Sequence, residues 1–126
     1  MGKLRHVALY ARDIEATAAF YERAFEMTRV LQTDSVIALS DGVVSLAIAD
    51  VRRNPAGKTG LDHVGFLVNE MDAAAAKLES AGAVHCGQIK RSNANAGIER
   101  KYRAPDGVVF DVATPDHARA VWMIPV

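Results

Sequence analysis

Two copies of one sequence pattern restrict the fold of this chain more than any other feature. One copy begins at His6 and covers residues 6–25, and the other begins at His63 and covers residues 63–82. Seven of the twenty aligned positions are identical, namely His6/His63, Val7/Val64, Ala16/Ala73, Ala18/Ala75, Ala19/Ala76, Glu22/Glu79 and Ala24/Ala81. A duplicated unit is expected to fold as two similar halves related by a pseudo-twofold axis. That axis would bring the two equivalent histidines into one shared cleft.

Each copy opens a series of patterns that predicts the element order βαβββ. In the first half, side chains alternate over residues 4–10 as in a strand, and apolar residues recur at helical spacing over residues 14–25, with Asp13 as N-cap. Further strands are predicted near residues 28–32, 35–39 and 43–50. The second half repeats this order, with a strand over 61–68, a helix from about 70 to 81, and strands near 84–90, 98–103 and 108–114.

These patterns indicate an α+β fold and a single domain over residues 1–126. Its predicted parts are module 1 at about 4–50, a linker at 51–60, module 2 at about 61–114 and a C-terminal tail at 115–126. The linker contains Arg, Asn, Pro and Gly, which favour irregular backbone. The tail has no clear pattern, although Ala118, Val121 and Trp122 have the spacing of a short helix.

Composition and charge argue against several classes of partner. Fifteen basic side chains balance fifteen acidic ones, so we expect no nucleic-acid or anionic-membrane partner. No apolar run approaches the roughly 20 residues that span a bilayer, and no signal peptide is visible. The single cysteine, Cys86, cannot form an internal disulfide, which fits a cytoplasmic location.

Three side chains that bind metals are predicted to share one face of the sheet. His6 and His63 occupy equivalent strand positions, and Asp111 interrupts an apolar strand whose other residues are expected to pack under a helix. A carboxylate among aliphatic side chains would be costly, so we expect Asp111 to point into the cleft, together with Ser45 of module 1. Two imidazoles and one carboxylate leave open positions on a divalent metal for substrate oxygens or water. A purely structural role for the histidines stays open, because duplication copies a structural residue as easily as a ligand.

The chain resembles the vicinal oxygen chelate superfamily, also called the glyoxalase / bleomycin-resistance / dioxygenase group. The segments that carry the resemblance, within about residues 4–114, are Arg5-His6-Val7-Ala8, Asp13 with the helix bearing Phe20-Tyr21 and Phe25, Leu61-Asp62-His63-Val64-Gly65-Phe66, and Pro105-Asp106-Gly107 with Asp111. The resemblance implies two βαβββ modules in pseudo-twofold arrangement that form a curved mixed sheet around a cleft. It also implies that His6, His63 and Asp111 bind a divalent metal, either Fe, Mn, Zn or Ni.

Two positions depart from the pattern of the group. The closing carboxylate is usually Glu and is here Asp111. Ser45 stands where glyoxalase I and methylmalonyl-CoA epimerase have a Glu or Gln ligand, which weakens both assignments. Three ligands are similar to the pattern of extradiol dioxygenases or fosfomycin-resistance thiol transferases, so lyase, isomerase, dioxygenase and thiol-transferase chemistry all stay open.

Further residues are assigned by strand position and charge. The residues predicted to line the cleft are Ser45, Ala47, Tyr10 and Tyr102. Lys90 and Arg119 are predicted to form an anion-binding rim, and the wider basic cluster Lys90-Arg91, Arg100-Lys101 and Arg103 would at most serve an anionic small molecule. His117 lies in the tail and is predicted at the surface.

The principal hypothesis is a metalloenzyme that chelates vicinal oxygens of a small metabolite on a divalent metal. The alternative is a metal-free protein that sequesters a drug or metabolite, as bleomycin-resistance relatives do. A non-catalytic dimer module is a third interpretation. Chains of this size in the group commonly pair, and exposed strand edges give a physical reason, so a homodimer is expected.

Overall fold

The computed structural model describes residues 2–89 and 97–126. The first half consists of strand β1 (Lys3–Ala11), helix α1 (Ile14–Phe25) and strands β2 (Thr28–Gln32), β3 (Val36–Ser40) and β4 (Ser45–Asp50). The second half consists of β5 (Gly60–Leu67), α2 (Met71–Ser80), β6 (Val84–Ile89), β7 (Glu99–Arg103) and β8 (Val109–Ala113). Each predicted helix and strand is present within a few residues of its predicted ends.

All eight strands form one mixed sheet in the order β2-β3-β4-β1-β5-β8-β7-β6. The order within each half is the same, because β1 pairs in parallel with β4 and β5 pairs in parallel with β8. The two halves meet where β1 and β5 pair antiparallel. The curved sheet of two βαβββ modules therefore confirms the predicted architecture, and it places the first strand of each module side by side at the centre.

Each module packs a helix against the convex side of the sheet. Asp13 caps α1 by accepting a hydrogen bond from the backbone N–H of Ala16 at 3.0 Å, as its position predicts. Beneath α1 the buried residues are Ala11, Ala18, Ile37, Leu39 and Ile48. Beneath α2 they are Met71, Tyr102 and Val112. Because the apolar side chains of the strands face the helices, their alternate residues face the concave side.

The linker and the tail contain short helical turns. Val51–Arg53 form a 3₁₀ turn after β4, capped by the side chain of Asp50. The C-terminal helical segment begins with Pro115–His117 and continues as a π-helical turn over Ala118–Trp122. Trp122 and Ile124 are buried against Ala113 and Leu67. The tail thus folds back over the concave side of the sheet. In the described part of the chain, no helix has both the length and the apolar character to cross a membrane.

Candidate metal centre

Strand pairing alone brings most of the candidate site into one row across the sheet. His6 on β1 lies beside Ser45 on β4 and beside Gly65 on β5. Gly65 in turn lies beside Asp111 on β8, and Asp111 lies beside Lys101 on β7. Residues paired across neighbouring strands point to the same face. The row therefore directs side chains from both modules into the same concave cleft.

His6, His63 and Asp111 form a donor cluster inside that cleft. One donor atom from each residue can be chosen so that all three lie within 4.8 Å of one another. His63 Nε2 is 3.0 Å from Asp111 Oδ2. Two donor atoms that each lie roughly 2.1 Å from one ion, with a right angle between the two bonds, have about this separation. His6 and Asp111 are buried, and all three donors come from one chain.

His6 is held as a neutral imidazole by its surroundings. Burial, and next the neighbouring His63, lower the pKa of His6 from 6.5 to about 4. Its ring stacks on Trp122 with centroids 4.8 Å apart and planes 7° from parallel. His6 Nδ1 is buried without a hydrogen-bond partner among the described residues. Neutral imidazole is the form that binds metals.

His63 is oriented by two carboxylates. Its Nδ1 is 2.6 Å from Asp62 Oδ2, while its Nε2 faces Asp111. Burial by itself lowers the pKa of His63, but the hydrogen bond to Asp111 and the second carboxylate outweigh burial and raise the pKa above its ordinary value. A carboxylate on the far nitrogen is the usual support of a metal-binding histidine.

Asp111 is buried and yet favoured as the carboxylate. Burial by itself raises its pKa, but hydrogen bonds with His63, Glu99 and Lys101 outweigh this and hold the pKa well below its usual range. The ammonium of Lys101 donates to Asp111 Oδ1 at 2.7 Å. One oxygen of Asp111 is therefore bound by Lys101 and the other faces His63.

A second buried pair lies beside the cluster and was not anticipated from the sequence. His117 is fully buried, so its predicted place at the surface is wrong, and its Nε2 lies against the carboxylate of Glu99. His117 also packs edge-on against Trp122. The alternation of β7 puts Glu99 on the same face as Lys101, which the sequence could have indicated. The burial of His117 depends on the tail, whose packing no local pattern encodes.

The cluster lies at one end of a cavity of about 640 Å³. Most charged side chains of the lining lie at that end, namely Asp62, His63, Glu99, Lys101 and Asp111, and Arg53 of the turn after β4 is the exception. Next to His63, the residues Ala8, Ala47 and Ala38 are paired in one row across three strands and form an apolar floor, here called the alanine shelf. The cavity can therefore accept a molecule with a polar end and an apolar body.

Of the four residues predicted to line the cleft, three line the cavity and one lies in the core. Ser45, Ala47 and Tyr10 line the cavity. Tyr102 does not; this prediction is wrong, because Tyr102 alternates with Lys101 and lies 1 % exposed in the core beneath α2. Its ring packs against Phe110 instead.

The predicted anion-binding rim is not formed by Arg119. That prediction is wrong, since Arg119 is half exposed, pairs with Asp116 on its own helical turn and lies outside the cavity lining. Lys90, the other predicted rim residue, lies outside the described residues. The cation that does line the charged end is Lys101.

The donor set fits a divalent metal of the first transition row. Two imidazoles with a carboxylate are the ligands that Fe(II), Mn(II) and Zn(II) accept while keeping open positions. The unpartnered Nδ1 of buried His6 and the oriented Nε2 of His63 are consistent with this fit.

Fold and site together define a two-module protein with a candidate mononuclear metal centre between its halves. The sequence profile of the Glyoxalase/Bleomycin resistance protein/Dioxygenase superfamily matches residues 3–117. The chain belongs to that superfamily. A comparison with curated proteins finds no significant match.

Solved structures share the fold at low sequence identity. A hypothetical protein of Bacillus halodurans C-125 is 14 % identical with a TM-score of 0.70, and the match covers 90 % of this chain and 94 % of that one. Methylmalonyl-CoA epimerase of Mycobacterium tuberculosis is 15 % identical with a TM-score of 0.67, and the match covers 89 % of this chain and 87 % of that one. The Mn(II)-bound glyoxalase of Novosphingobium aromaticivorans is 20 % identical with a TM-score of 0.66; the match covers 90 % of this chain but only 40 % of that one.

Proposed function

We propose that this protein is a metal-dependent enzyme that chelates two neighbouring oxygens of a small metabolite on a divalent ion held by His6, His63 and Asp111. The single observation that carries the proposal is the convergence of these three donors, from both modules, at the charged end of one cavity. A divalent ion, when bound there, would polarise a substrate oxygen and stabilise negative charge that develops on it.

The residues of the chain itself prepare this site in three ways. Asp62 fixes the ring of His63 so that Nε2 faces the cleft. Lys101 holds one oxygen of Asp111 and leaves the other directed at His63. Trp122 covers one face of His6 and excludes water from it. Orientation of ligands by such partners typically changes metal affinity by about 10- to 100-fold.

The reaction type stays open among lyase, isomerase, dioxygenase and thiol-transferase chemistry. At the position of Ser45 the chain supplies a hydroxyl and no carboxylate, although the buried carboxylate of Glu99 also lines the cavity. Mn(II) is the first ion to test, because one structural neighbour is a Mn(II)-bound glyoxalase. A cytoplasmic location, where Cys86 would stay reduced, is part of the proposal.

Titration of chelator-treated protein with Mn(II) in a calorimeter tests the metal centre. We expect one ion per chain, and we expect His63→Ala and Asp111→Asn each to weaken binding by more than about 100-fold, since even outer partners of a ligand have effects of that order. His85→Ala is the matched control, because His85 is exposed and contacts Gly87 and Tyr102 away from the cavity. Equal Mn(II) binding by all four proteins would contradict the assignment.

A metal-free binding function is the second candidate, and one observation favours it. Asp62, His63, Asp111 and Lys101 already form a continuous hydrogen-bonded network in which an ammonium neutralises the buried carboxylate. Such a network needs no ion to satisfy Asp111. A small-molecule ligand whose affinity is unchanged by chelator would favour this function over the enzyme.

A further inference from the structure

We propose that Lys101 selects an anionic substrate, because its ammonium binds an anionic oxygen of the substrate beside the metal centre. The substrate is then a small organic anion. This inference deepens the proposed function and rests on the same cavity. It adds a substrate-binding role for a residue outside the donor cluster.

The position of Lys101 follows from the hairpin between β7 and β8. Lys101 is the strand partner of Asp111, and both side chains point to the concave face. The side chain is 33 % exposed, and its ammonium is 2.7 Å from Asp111 Oδ1. The charge is thereby anchored next to the open side of the donor cluster.

Lys101 retains unused hydrogen-bonding capacity. An ammonium has three N–H donors, and the contact with Asp111 is the one hydrogen bond of this group within the described residues. Two donors are thus left for groups in the cavity. A partly buried ammonium with free donors is better satisfied by an anionic ligand than by a neutral one.

The charges next to the donor cluster also favour an anion. Asp111 is the one carboxylate of the cluster, and Lys101 already balances it. Glu99, the nearby buried carboxylate, has its own partner in His117. Asp62 is likewise held by His63. The carboxylates beside the cluster are each engaged by a side chain, whereas Lys101 keeps N–H donors that an anionic substrate can accept from.

The alanine shelf limits what the rest of the substrate can be. Ala8, Ala47 and Ala38 offer an apolar floor, and Tyr10, Thr33, Ser35 and Arg53 add polar groups to the lining away from the donor cluster. The substrate class that satisfies Lys101 and the donor cluster is a carboxylate or enolate with a second oxygen on the neighbouring carbon, and its remainder has to pack against the alanine shelf.

Oxalate, a dianion with two neighbouring oxygens, is the probe, and oxamide is its neutral counterpart of similar shape. In Mn(II)-loaded protein, we expect Lys101→Met to weaken oxalate binding by about 10- to 100-fold, the effect of one hydrogen bond to a charged group. Binding of oxamide should differ by less than about twofold. Lys101→Arg should restore most of the oxalate affinity, because it restores the charge.

Lys58→Met is the matched control, because Lys58 is an exposed lysine of the linker outside the cavity lining, and it should leave oxalate binding unchanged. Mn(II) affinity is measured for each variant, so that loss of the ion is distinguished from loss of the anion. Equal oxalate affinity of the Lys101→Met and unaltered proteins at full Mn(II) loading would overturn the inference.

The same titrations without metal separate this inference from the proposed function. If Mn(II) does not bind but oxalate binds in a Lys101-dependent manner, the metal centre is wrong and the role of Lys101 stands. If Mn(II) binds and oxalate does not bind in either state, the metal centre stands and the role of Lys101 is overturned.

Discussion

The two histidines that the duplication made equivalent have opposite electrostatic surroundings. His6 is buried against Trp122, and burial lowers its pKa to about 4. His63 lies between Asp62 and Asp111, and despite its burial these carboxylates raise its pKa. Equivalent positions in a repeat therefore do not give histidines with equal pKa values, because the side chains around them differ between the modules.

The lowered pKa of His6 gives a defined pH dependence of stability. The unfolded chain takes up a proton on His6 near pH 6.5 and the folded chain near pH 4, so this residue reduces the free energy of unfolding progressively as pH falls through that window. At pH 5 the reduction is up to about 2 kcal/mol relative to pH 7.5. His6→Asn removes the reduction.

Denaturant unfolding of both proteins at pH 7.5 and pH 5, in the presence of chelator, measures this effect. The difference in stability between His6→Asn and the unaltered protein should shift in favour of the variant by about 2 kcal/mol at the lower pH. A difference that is the same at both pH values would show that His6 is not held neutral.

For single residues, the alternation of side chains along the strands predicted which face of the sheet a side chain points to, but not which residue it contacts there. The cost of burying a carboxylate among aliphatic side chains was enough to turn Asp111, and with it Ser45, into the cleft. The hairpin register that pairs Lys101 with Asp111 was also present in the sequence, in the turn at Pro105-Asp106-Gly107. The pairing of Glu99 with His117 was not, because it joins a strand to a tail without a clear pattern.

Among the structural elements, the C-terminal helical segment contributes most to the shape of the site beyond the sheet. Trp122 reaches the centre of the sheet because Gly65, between His6 and Asp111, has no side chain. A Cβ at Gly65 would lie 2.9 Å from His6 Cβ and 2.9 Å from the Trp122 ring. The absence of one methyl group on β5 thus allows the tail to pack over the cleft.

Gly65→Ala tests this packing. The added methyl group should displace Trp122 and lower stability by about 1–3 kcal/mol, the usual cost of overpacking. Trp122 is the single tryptophan of the chain, so its fluorescence should move to longer wavelength as the ring gains water. Gly87→Ala is the matched control, because its Cβ would meet Lys101 Cβ at an ordinary 3.6 Å. Unchanged emission and stability in Gly65→Ala would contradict the proposed role of Gly65.

The strands and the two long helices were predictable because their periodicity reflects local chemistry. The cap at Asp13 and the alternation over β1 encode their own elements. The helical segment over 115–122 was only suggested, since its apolar residues are matched to Leu67 and Ala113 on distant strands and not to one another.

For the whole molecule, the cleft exists only because the two modules share one sheet. His6 belongs to module 1, and His63 and Asp111 belong to module 2, so the donor cluster is completed where β1 pairs with β5. The repeat predicted this meeting of modules, and strand alternation together with the family resemblance predicted which residues would meet. Neither predicted the cover supplied by Trp122 or the network around Lys101.

The expected homodimer is a prediction at this scale. The sheet has two open edges, at β2 and β6, and α1 exposes Phe20 and Phe25 by 53 % and 66 %. Exposed strand edges and apolar patches favour association. Light scattering after size exclusion should give twice the mass of the 13.6 kDa chain. A monomer at micromolar concentration would refute the prediction.

Anomalous X-ray scattering from crystals grown with Mn(II) locates an ion bound to His6, His63 and Asp111. We expect one strong peak per chain in the cleft, at about 2.0–2.3 Å from the donor atoms of these residues. Crystals saturated with Mn(II) that show no peak in the cleft, or a peak bonded to other residues, would contradict the proposed metal centre.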